Sequence, residues 1–244
     1  MRLSLRLLAV LLSSSLGVRG DLDFDGVDDA AEMASPITTA TTDISMTAWV
    51  FKRTSSEGGL IMYNGTAASN GYGISLSDGS CNSGSIIGLH IGGVSCNATA
   101  SATTLTDNTW YHVALTRGAS TWRLYLDGVE IGTTTSAPST PTAKFGVGGQ
   151  IVGNNVNAII AQAQFYTREL TAAEVASLYS SRQLRTLTGT GLLGWWWFDG
   201  GGNLTAADGA TVIDRSGNGK DLTASDGANN TGCLWKAAFY ITLP

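Results

Sequence analysis

Short apolar runs recur along the chain after residue 21, and glycine, asparagine and aspartate residues separate them. The clearest example is a hairpin centred on Asp127-Gly128, with alternating apolar positions over residues 122–126 before it and 129–131 after it. A period of two places one face of a strand in a core, and Asp-Gly favours a two-residue hairpin turn. The pattern predicts an all-β fold of many short antiparallel strands.

One stretch has the periodicity of a helix. Thr171 and Glu174 form a capping box, and Leu170, Val175 and Leu178 supply an apolar stripe. We expect a short helix that ends near Arg182 and covers an open end of the core.

The composition fits a β-sandwich and indicates which classes of binding partner to expect. The chain has 244 residues, 31 glycines, 14% charged residues and a net charge of −5. This length suits one main β domain. The negative net charge indicates no basic surface that could bind the phosphate groups of a nucleic acid, so we expect no nucleic-acid partner. Of the 19 acidic residues, 14 are Asp and five are Glu. That bias suits oxygen-rich turns, which makes calcium a candidate ligand.

The N-terminal segment, residues 1–20, has two interpretations that stay open. Basic Arg2 and Arg6, a short apolar run over residues 7–12 and small residues after it are typical of a secretory signal. The alternative is an assembly arm that stays on the mature protein and contacts a neighbour. The apolar run is too short to span a membrane.

Two of the three cysteines flank an apolar stretch. Cys81 and Cys96 could meet as one disulfide in an oxidising compartment, or could be two small buried thiols. Cys233 is left over and is expected to be a buried free thiol.

Several spaced motifs resemble those of the laminin G-like branch of the concanavalin A-type lectins. The motifs are Leu22–Asp29, Ala48–Val50, Thr109–Ala114, Leu124–Gly128 and Phe165–Tyr179. They follow one another in the order usual for that family, over roughly residues 21–182. The resemblance implies an all-β fold, a two-sheet antiparallel jelly-roll β-sandwich with one short helix after the core.

The chain therefore divides into three parts: residues 1–20, a jelly-roll core at 21–185 and a Trp-rich C-terminal block at 186–244. The block contains Gly194–Asp199 and Asp214–Asp221, which resemble a strand and loop that precede the core in family members. The domain is then either circularly permuted or followed by a truncated second repeat. Because fewer than sixty residues remain, we expect the block to dock on the core.

Two acidic turns are candidate calcium sites. The first holds Asp25, Asp28 and Asp29 around a glycine; the second holds the oxygen-bearing residues Asp214, Asn218 and Asp221. Carboxylate and amide oxygens suit Ca²⁺, and the resemblance raises this expectation because family members often bind calcium. The alternative is a pair of solvated turns without an ion, since neither turn has EF-hand spacing.

Aromatic side chains are candidates for stacking on sugar rings. The candidates are Tyr63, Tyr72, Trp122 and Trp196. In a strand, Trp195 and Trp197 point one way and Trp196 the other, so at least one of the three belongs to the core.

Catalytic patterns are poorly represented. Neither His90 nor His112 has neighbours at zinc-ligand or catalytic-triad spacing. Glycoside hydrolysis needs two facing carboxylates, and the Glu-x-Asp-x-x-Glu pattern of related β-glucan hydrolases does not occur. We expect a protein that is not an enzyme.

Two functions follow from these observations. The first is a surface-displayed carbohydrate-binding or adhesion protein, secreted or on a cell surface, with calcium as its candidate cofactor. The second is a structural virion protein of a bacteriophage, a capsid decoration or fibre subunit, in which any glycan binding is secondary. The expected partners are glycans or neighbouring subunits, including further copies of the same chain.

Overall fold

A computed structural model gives the fold of the chain. It describes residues 20–53, 58–76, 87–92, 104–150, 154–181, 191–199, 205–226 and 233–237. Cys81, Cys96 and residues 1–19 lie outside these ranges, so the disulfide and the nature of the N-terminal segment stay predictions. In the described part of the chain no helix is long and apolar enough to cross a membrane.

The described residues form sixteen strands and one helix. In chain order these are β1 (Gly20–Asp25), β2 (Ala30–Met33), β3 (Ile44–Lys52), β4 (Gly59–Thr66), β5 (Asn70–Leu76), β6 (Ile87–Ile91), β7 (Thr109–Gly118), β8 (Thr121–Leu126), β9 (Val129–Thr134), β10 (Phe145–Val147), β11 (Asn157–Tyr166), α1 (Ala172–Ser181), β12 (Leu192–Trp196), β13 (Thr205–Ala206), β14 (Thr211–Val212), β15 (Leu222–Ser225) and β16 (Leu234–Ala237).

The strands form two antiparallel sheets. The larger sheet has the order β13-β16-β1-β11-β3-β7-β8-β9, with β12 also paired to β11. The smaller sheet has the order β14-β15-β2-β10-β4-β5-β6. Their inner faces share one apolar core, which confirms the predicted jelly-roll sandwich.

Aromatic rings fill the core between the sheets. Phe145 of the smaller sheet stacks on Trp196 at 5.1 Å between ring centroids and meets Phe165 edge-on at 5.8 Å. All three side chains are fully buried. Burial of each such ring stabilises the fold by about 2–3 kcal/mol.

Helix α1 lies on the outer face of the larger sheet, not at an open end of the core. Val175 and Leu178 pack with Tyr125 and Tyr166 of the sheet. The predicted capping box is present: the Thr171 N–H donates to Glu174 Oε2 at 2.8 Å, and the Glu174 N–H donates to Thr171 Oγ1 at 3.3 Å. The expected position of the helix was therefore wrong, because a second apolar surface on this sheet needs cover.

The contact between α1 and the larger sheet also accounts for the buried position of His112. His112 lies between Trp49 and Tyr179, with ring centroids 5.4 and 6.2 Å away. Burial lowers the pKa of His112 to about 3, so this side chain is neutral at ordinary pH. It is a core residue of the helix–sheet contact.

Two Asn-Gly pairs, Asn64-Gly65 and Asn70-Gly71, lie at the facing ends of β4 and β5. Gly65 of β4 faces Gly71 of β5, with φ of 122° and 86°, and the chain turns over residues 67–69. A Cβ on Gly71 would lie 1.9 Å from the carbonyl oxygen of Asn64. The positive φ values of the two glycines allow this close approach of the two strands.

The C-terminal block contributes strands to both sheets. β15 pairs with β2 in the smaller sheet, while β16 pairs with β1 and β12 with β11 in the larger sheet. These pairings place the C-terminal block beside the start of the jelly-roll core.

Candidate functional site

The turn between β1 and β2 carries the first acidic cluster. Its backbone passes from the larger sheet to the smaller one at Gly26, where φ is 85°. The Asp25 N–H donates to Asp29 Oδ2 and the Val27 N–H donates to Asp25 Oδ1, both at 2.7 Å. These bonds hold the turn in one conformation and bring its carboxylates together.

Three carboxylates converge at this turn. One oxygen from each of Asp25, Asp28 and Asp29 lies within 4.8 Å of the others. Asp29 is fully buried, and its Oδ1 has no hydrogen-bond partner. Burial is the main reason that its pKa rises to about 7; the Asp25 N–H lowers the pKa, and the neighbouring carboxylates raise it. The buried oxygen is thus an acceptor without a donor.

Asn155 contacts the backbone of this turn through its side-chain amide. Asn155, just before β11, donates from Nδ2 to the Asp29 carbonyl oxygen at 3.1 Å, while its Oδ1 is buried without a partner. Only 4% of Asn155 is exposed. Carboxylates and an amide oxygen form a hard donor set, which fits Ca²⁺ better than a soft metal. Sequence reasoning missed Asn155 because it lies 126 residues from Asp29.

The second acidic turn is built differently. Asp214 accepts hydrogen bonds from the N–H groups of Trp195, Ser216 and Lys220 at 2.8–3.0 Å and from the Ser216 hydroxyl at 2.8 Å. Asp221 accepts the Asp214 N–H at 2.8 Å. Burial alone would raise the pKa of Asp214, but these donors together lower it.

Asn218 completes this second turn by donating to the carbonyl oxygens of Leu192 and Leu193. The turn thus uses its polar atoms to fix the backbone around β12. Among the described acidic, His and Cys residues, the only group spaced to hold a metal is Asp25, Asp28 and Asp29. Calcium binding by Asp214, Asn218 and Asp221 stays a prediction; in this structure their polar atoms bond the surrounding backbone.

The four aromatic residues chosen from the sequence are all buried. Their polar atoms are bonded within the protein: Tyr63 to the Asn70 carbonyl, Tyr72 to Ala40, Trp122 to Ser136 and Trp196 to Lys220. Their rings have no face open to a ligand. This choice is corrected, because large aromatic rings contribute most by filling the core.

Two half-buried tryptophans lie on either side of Trp196 in the sequence. Trp195 and Trp197 lie on the outer face of the larger sheet, half-buried, with ring centroids 4.8 Å apart and an edge-to-face contact. Both indole N–H groups are buried and have no acceptor among the described residues. Arg215 lies over Trp197 at 5.6 Å and pairs with Asp199 at 2.8 Å. Alternation in the sequence separates the two sides of β12, but the side that faces the core depends on pairing with β11.

The adjacent strand has an unusual backbone. Gln164 lies opposite Trp195, and Gln162, two residues earlier, has φ of 52° at an irregularity in the pairing of β11 with β3. A non-glycine residue in this region carries backbone strain, which often accompanies functional sites. The tryptophan pair therefore adjoins a locally strained strand.

The sequence matches a family model over residues 25–176, more than half of the chain. That model describes the concanavalin A-like lectin/glucanases superfamily. The chain belongs to this superfamily. A comparison with curated proteins finds no match.

Solved structures share the fold at low sequence identity. A Bacteroides ovatus protein, provisionally assigned as carbohydrate-binding, has 16% identity and a TM-score of 0.65, with 93% of this chain and 63% of that chain covered. A heptameric SAP-like pentraxin from Limulus polyphemus has 14% identity and a TM-score of 0.54, with coverages of 86% and 97%. Thus this chain spans less than two thirds of the Bacteroides protein and nearly all of the pentraxin.

Enzymes also occur among the similar structures. A Trypanosoma rangeli sialidase in complex with sialic acid has 18% identity and a TM-score of 0.52, with 68% of this chain and 28% of that chain covered. At these identities the likeness shows the fold alone. The superfamily and its neighbours therefore show a lectin-type fold of the kind found in carbohydrate-binding proteins.

Proposed function

We propose that the protein binds carbohydrate, without catalysis, on an outer surface of a cell or virion. The observation that carries the proposal is the Trp195–Trp197 pair on the outer face of the larger sheet. Sugar rings present apolar C–H faces that stack on indoles, and their hydroxyl oxygens accept hydrogen bonds. Because both indole N–H groups are buried, a sugar would contact this pair through exposed parts of the rings.

The charges near this pair favour a binding role over hydrolysis. Arg215 lies over Trp197 and pairs with Asp199. Elsewhere on this sheet Arg53 pairs with Asp23, and Arg123 with Glu169. A glycosidase needs one carboxyl group held protonated and a second facing it across the sugar. Release of reducing sugar from a bound glycan would contradict this part of the proposal.

We also propose that Ca²⁺ binds at the turn between β1 and β2. Asp25, Asp28 and Asp29 would supply carboxylate oxygens, and Asn155 an amide oxygen. The support is the fully buried Asp29 Oδ1, which has no hydrogen-bond donor. Bound calcium would neutralise the cluster and hold the crossing between the two sheets.

The test of glycan binding is an array of neutral and acidic glycans probed with the whole protein. We expect selective binding that falls at least about tenfold in a Trp195→Ala/Trp197→Ala variant, since each stacked ring contributes about 1 kcal/mol. The matched control is Trp110→Ala, which removes a half-buried ring that contacts Phe51 on the same sheet. Equal binding by the wild type and the double variant would contradict the proposed site.

Measurements on protein from its native source distinguish a secreted protein from a structural virion subunit. If the protein is secreted, its intact mass should correspond to a chain without residues 1–20. If it is a virion subunit that uses this segment as an arm, the mass should include Met1 and the protein should elute as a multimer or remain bound to particles. Neighbouring subunits would then be its main partners.

A further inference from the structure

The turn around Asp214 holds a charged side chain against the tryptophan pair. The Trp195 N–H donates to Asp214 Oδ1 at 2.9 Å, and the Arg215 N–H donates to the Trp195 carbonyl oxygen at 2.7 Å. Asp214 also forms an isolated β-bridge with Trp196. Both backbone polar groups of Trp195 are thus bonded to this turn, which fixes the backbone of Arg215 relative to the indole rings.

The Arg215 side chain and Asp199 place a donor and an acceptor beside Trp197. The guanidinium carbon lies 5.6 Å from the Trp197 ring centroid, and Arg215 Nη2 donates to Asp199 Oδ2 at 2.8 Å. The ion pair is partly open to solvent, since 38% of the Arg215 side chain and 21% of the Asp199 side chain are exposed. A guanidinium has several N–H donors and a carboxylate has two acceptor oxygens, so a single shared bond leaves both groups able to bond a ligand.

The balanced charge of this ion pair bears on the kind of sugar that fits. A sugar hydroxyl both donates and accepts hydrogen bonds, so two adjacent hydroxyls of a neutral sugar could accept from Arg215 and donate to Asp199. A carboxylate or sulfate group only accepts. It would compete with Asp199 for the guanidinium and would meet a like charge beside it, which disfavours the wrong ligand.

We propose that the Arg215–Asp199 ion pair is the polar part of the sugar site at Trp195 and Trp197, and that it selects neutral sugars with adjacent hydroxyls over acidic sugars. This inference rests on the proposed carbohydrate binding and names the class of sugar. Exposed ion pairs contribute little to the stability of a fold, so substitution of this pair should change binding without unfolding the protein. The turn around Asp214 positions Arg215 for this role.

The test compares neutral glycans with acidic glycans of matched length on an array probed with the whole protein. We expect the wild type to bind the neutral glycans at least about tenfold better. Arg215→Gln should weaken neutral binding about tenfold, because a charged donor is lost. Asp199→Asn leaves the Arg215 charge unbalanced and should shift the preference towards acidic glycans by about tenfold or more.

The control is Arg123→Gln, which removes an arginine of the same sheet that is equally exposed and pairs with Glu130 and Glu169. It should bind both classes of glycan as the wild type does. A lost fold would weaken binding to both classes together, whereas the proposal requires the ratio of neutral to acidic binding to change in Asp199→Asn.

The outcomes separate this inference from the proposed function. If Asp199→Asn and Arg215→Gln bind as the wild type does, or the wild type prefers acidic glycans, the selective role of the ion pair is refuted while carbohydrate binding stands. If the wild type binds no glycan, both proposals are overturned.

Discussion

Two turns that look alike in the sequence differ in what their carboxylates contact. In the turn around Asp214, backbone N–H groups and a hydroxyl bond both carboxylate oxygens. In the turn around Asp29, one oxygen accepts a single N–H and the other is buried without a donor. In the first turn both carboxylate oxygens of Asp214 are hydrogen-bonded without any ligand. In the second turn one oxygen of Asp29 is left without a hydrogen-bond donor. This difference supports the proposal that a cation binds the turn around Asp29 and not the turn around Asp214.

The largest expected effect on stability comes from the turn around Asp214. Asp214→Ala should destabilise the protein by about 3–5 kcal/mol, because several hydrogen bonds to a buried carboxylate are lost together. Urea unfolding monitored by tryptophan fluorescence measures this change. The loss should be the same with and without calcium, and a loss below about 1 kcal/mol would show that the turn does not depend on this residue.

The next effect concerns the turn around Asp29. Calcium at 100 times its Kd should stabilise the wild type by about 2.7 kcal/mol, and Asp29→Asn should abolish that gain. In EDTA the variant should be no less stable than the wild type, since an amide can still accept the Asp25 N–H. Thermal unfolding with and without Ca²⁺ checks both statements. An equal calcium response in the two proteins would place the ion elsewhere.

The pH dependence in EDTA should reflect the same buried carboxylate. The pKa of Asp29 rises on folding from 3.8 to about 7. Its contribution to stability is thus complete below pH 4 and is lost as pH rises towards 7. Asp29→Asn should therefore gain stability relative to the wild type across this window. The contribution of His112 to stability changes in the opposite direction: it is lost as pH falls from 6.5 towards 3. Because both proteins contain His112, this contribution cancels when their stabilities are compared. A constant difference from pH 4 to 8 would contradict the account.

The smallest expected effect on stability also concerns the turn around Asp214. Asn218→Ala removes exposed hydrogen bonds to the Leu192 and Leu193 carbonyl oxygens and should cost about 1 kcal/mol, independently of calcium. Chemical unfolding in calcium and in EDTA gives the comparison. If calcium offset the loss, this turn would have to contact the ion after all.

The fold could be predicted from the sequence because its signals are local. The Asp127-Gly128 turn has positive φ at both residues, as a two-residue hairpin requires, and the Thr171–Glu174 capping box starts α1. The position of α1 could not be predicted, since it depends on the apolar residues that several strands bring to the outer face of the larger sheet.

The site was predicted only in part. Asp25, Asp28 and Asp29 are close in sequence and meet in the structure. Asn155, whose amide donates to the Asp29 carbonyl oxygen, could not be predicted because it lies 126 residues away in the sequence. Trp196 was chosen instead of Trp195 and Trp197 because alternation alone does not tell which side of β12 faces the core. Pairing with β11 settles that direction.

Calcium titration calorimetry of the wild type, Asp29→Asn and Asp221→Asn tests the central claim most directly. Asp221→Asn is the matched control because its side-chain oxygen can still accept the Asp214 N–H. We expect the wild type and Asp221→Asn to bind Ca²⁺ at one site per chain with similar Kd, and Asp29→Asn to show no saturable binding. Equal binding by all three proteins, or loss of binding only in Asp221→Asn, would contradict the distinction between the two turns.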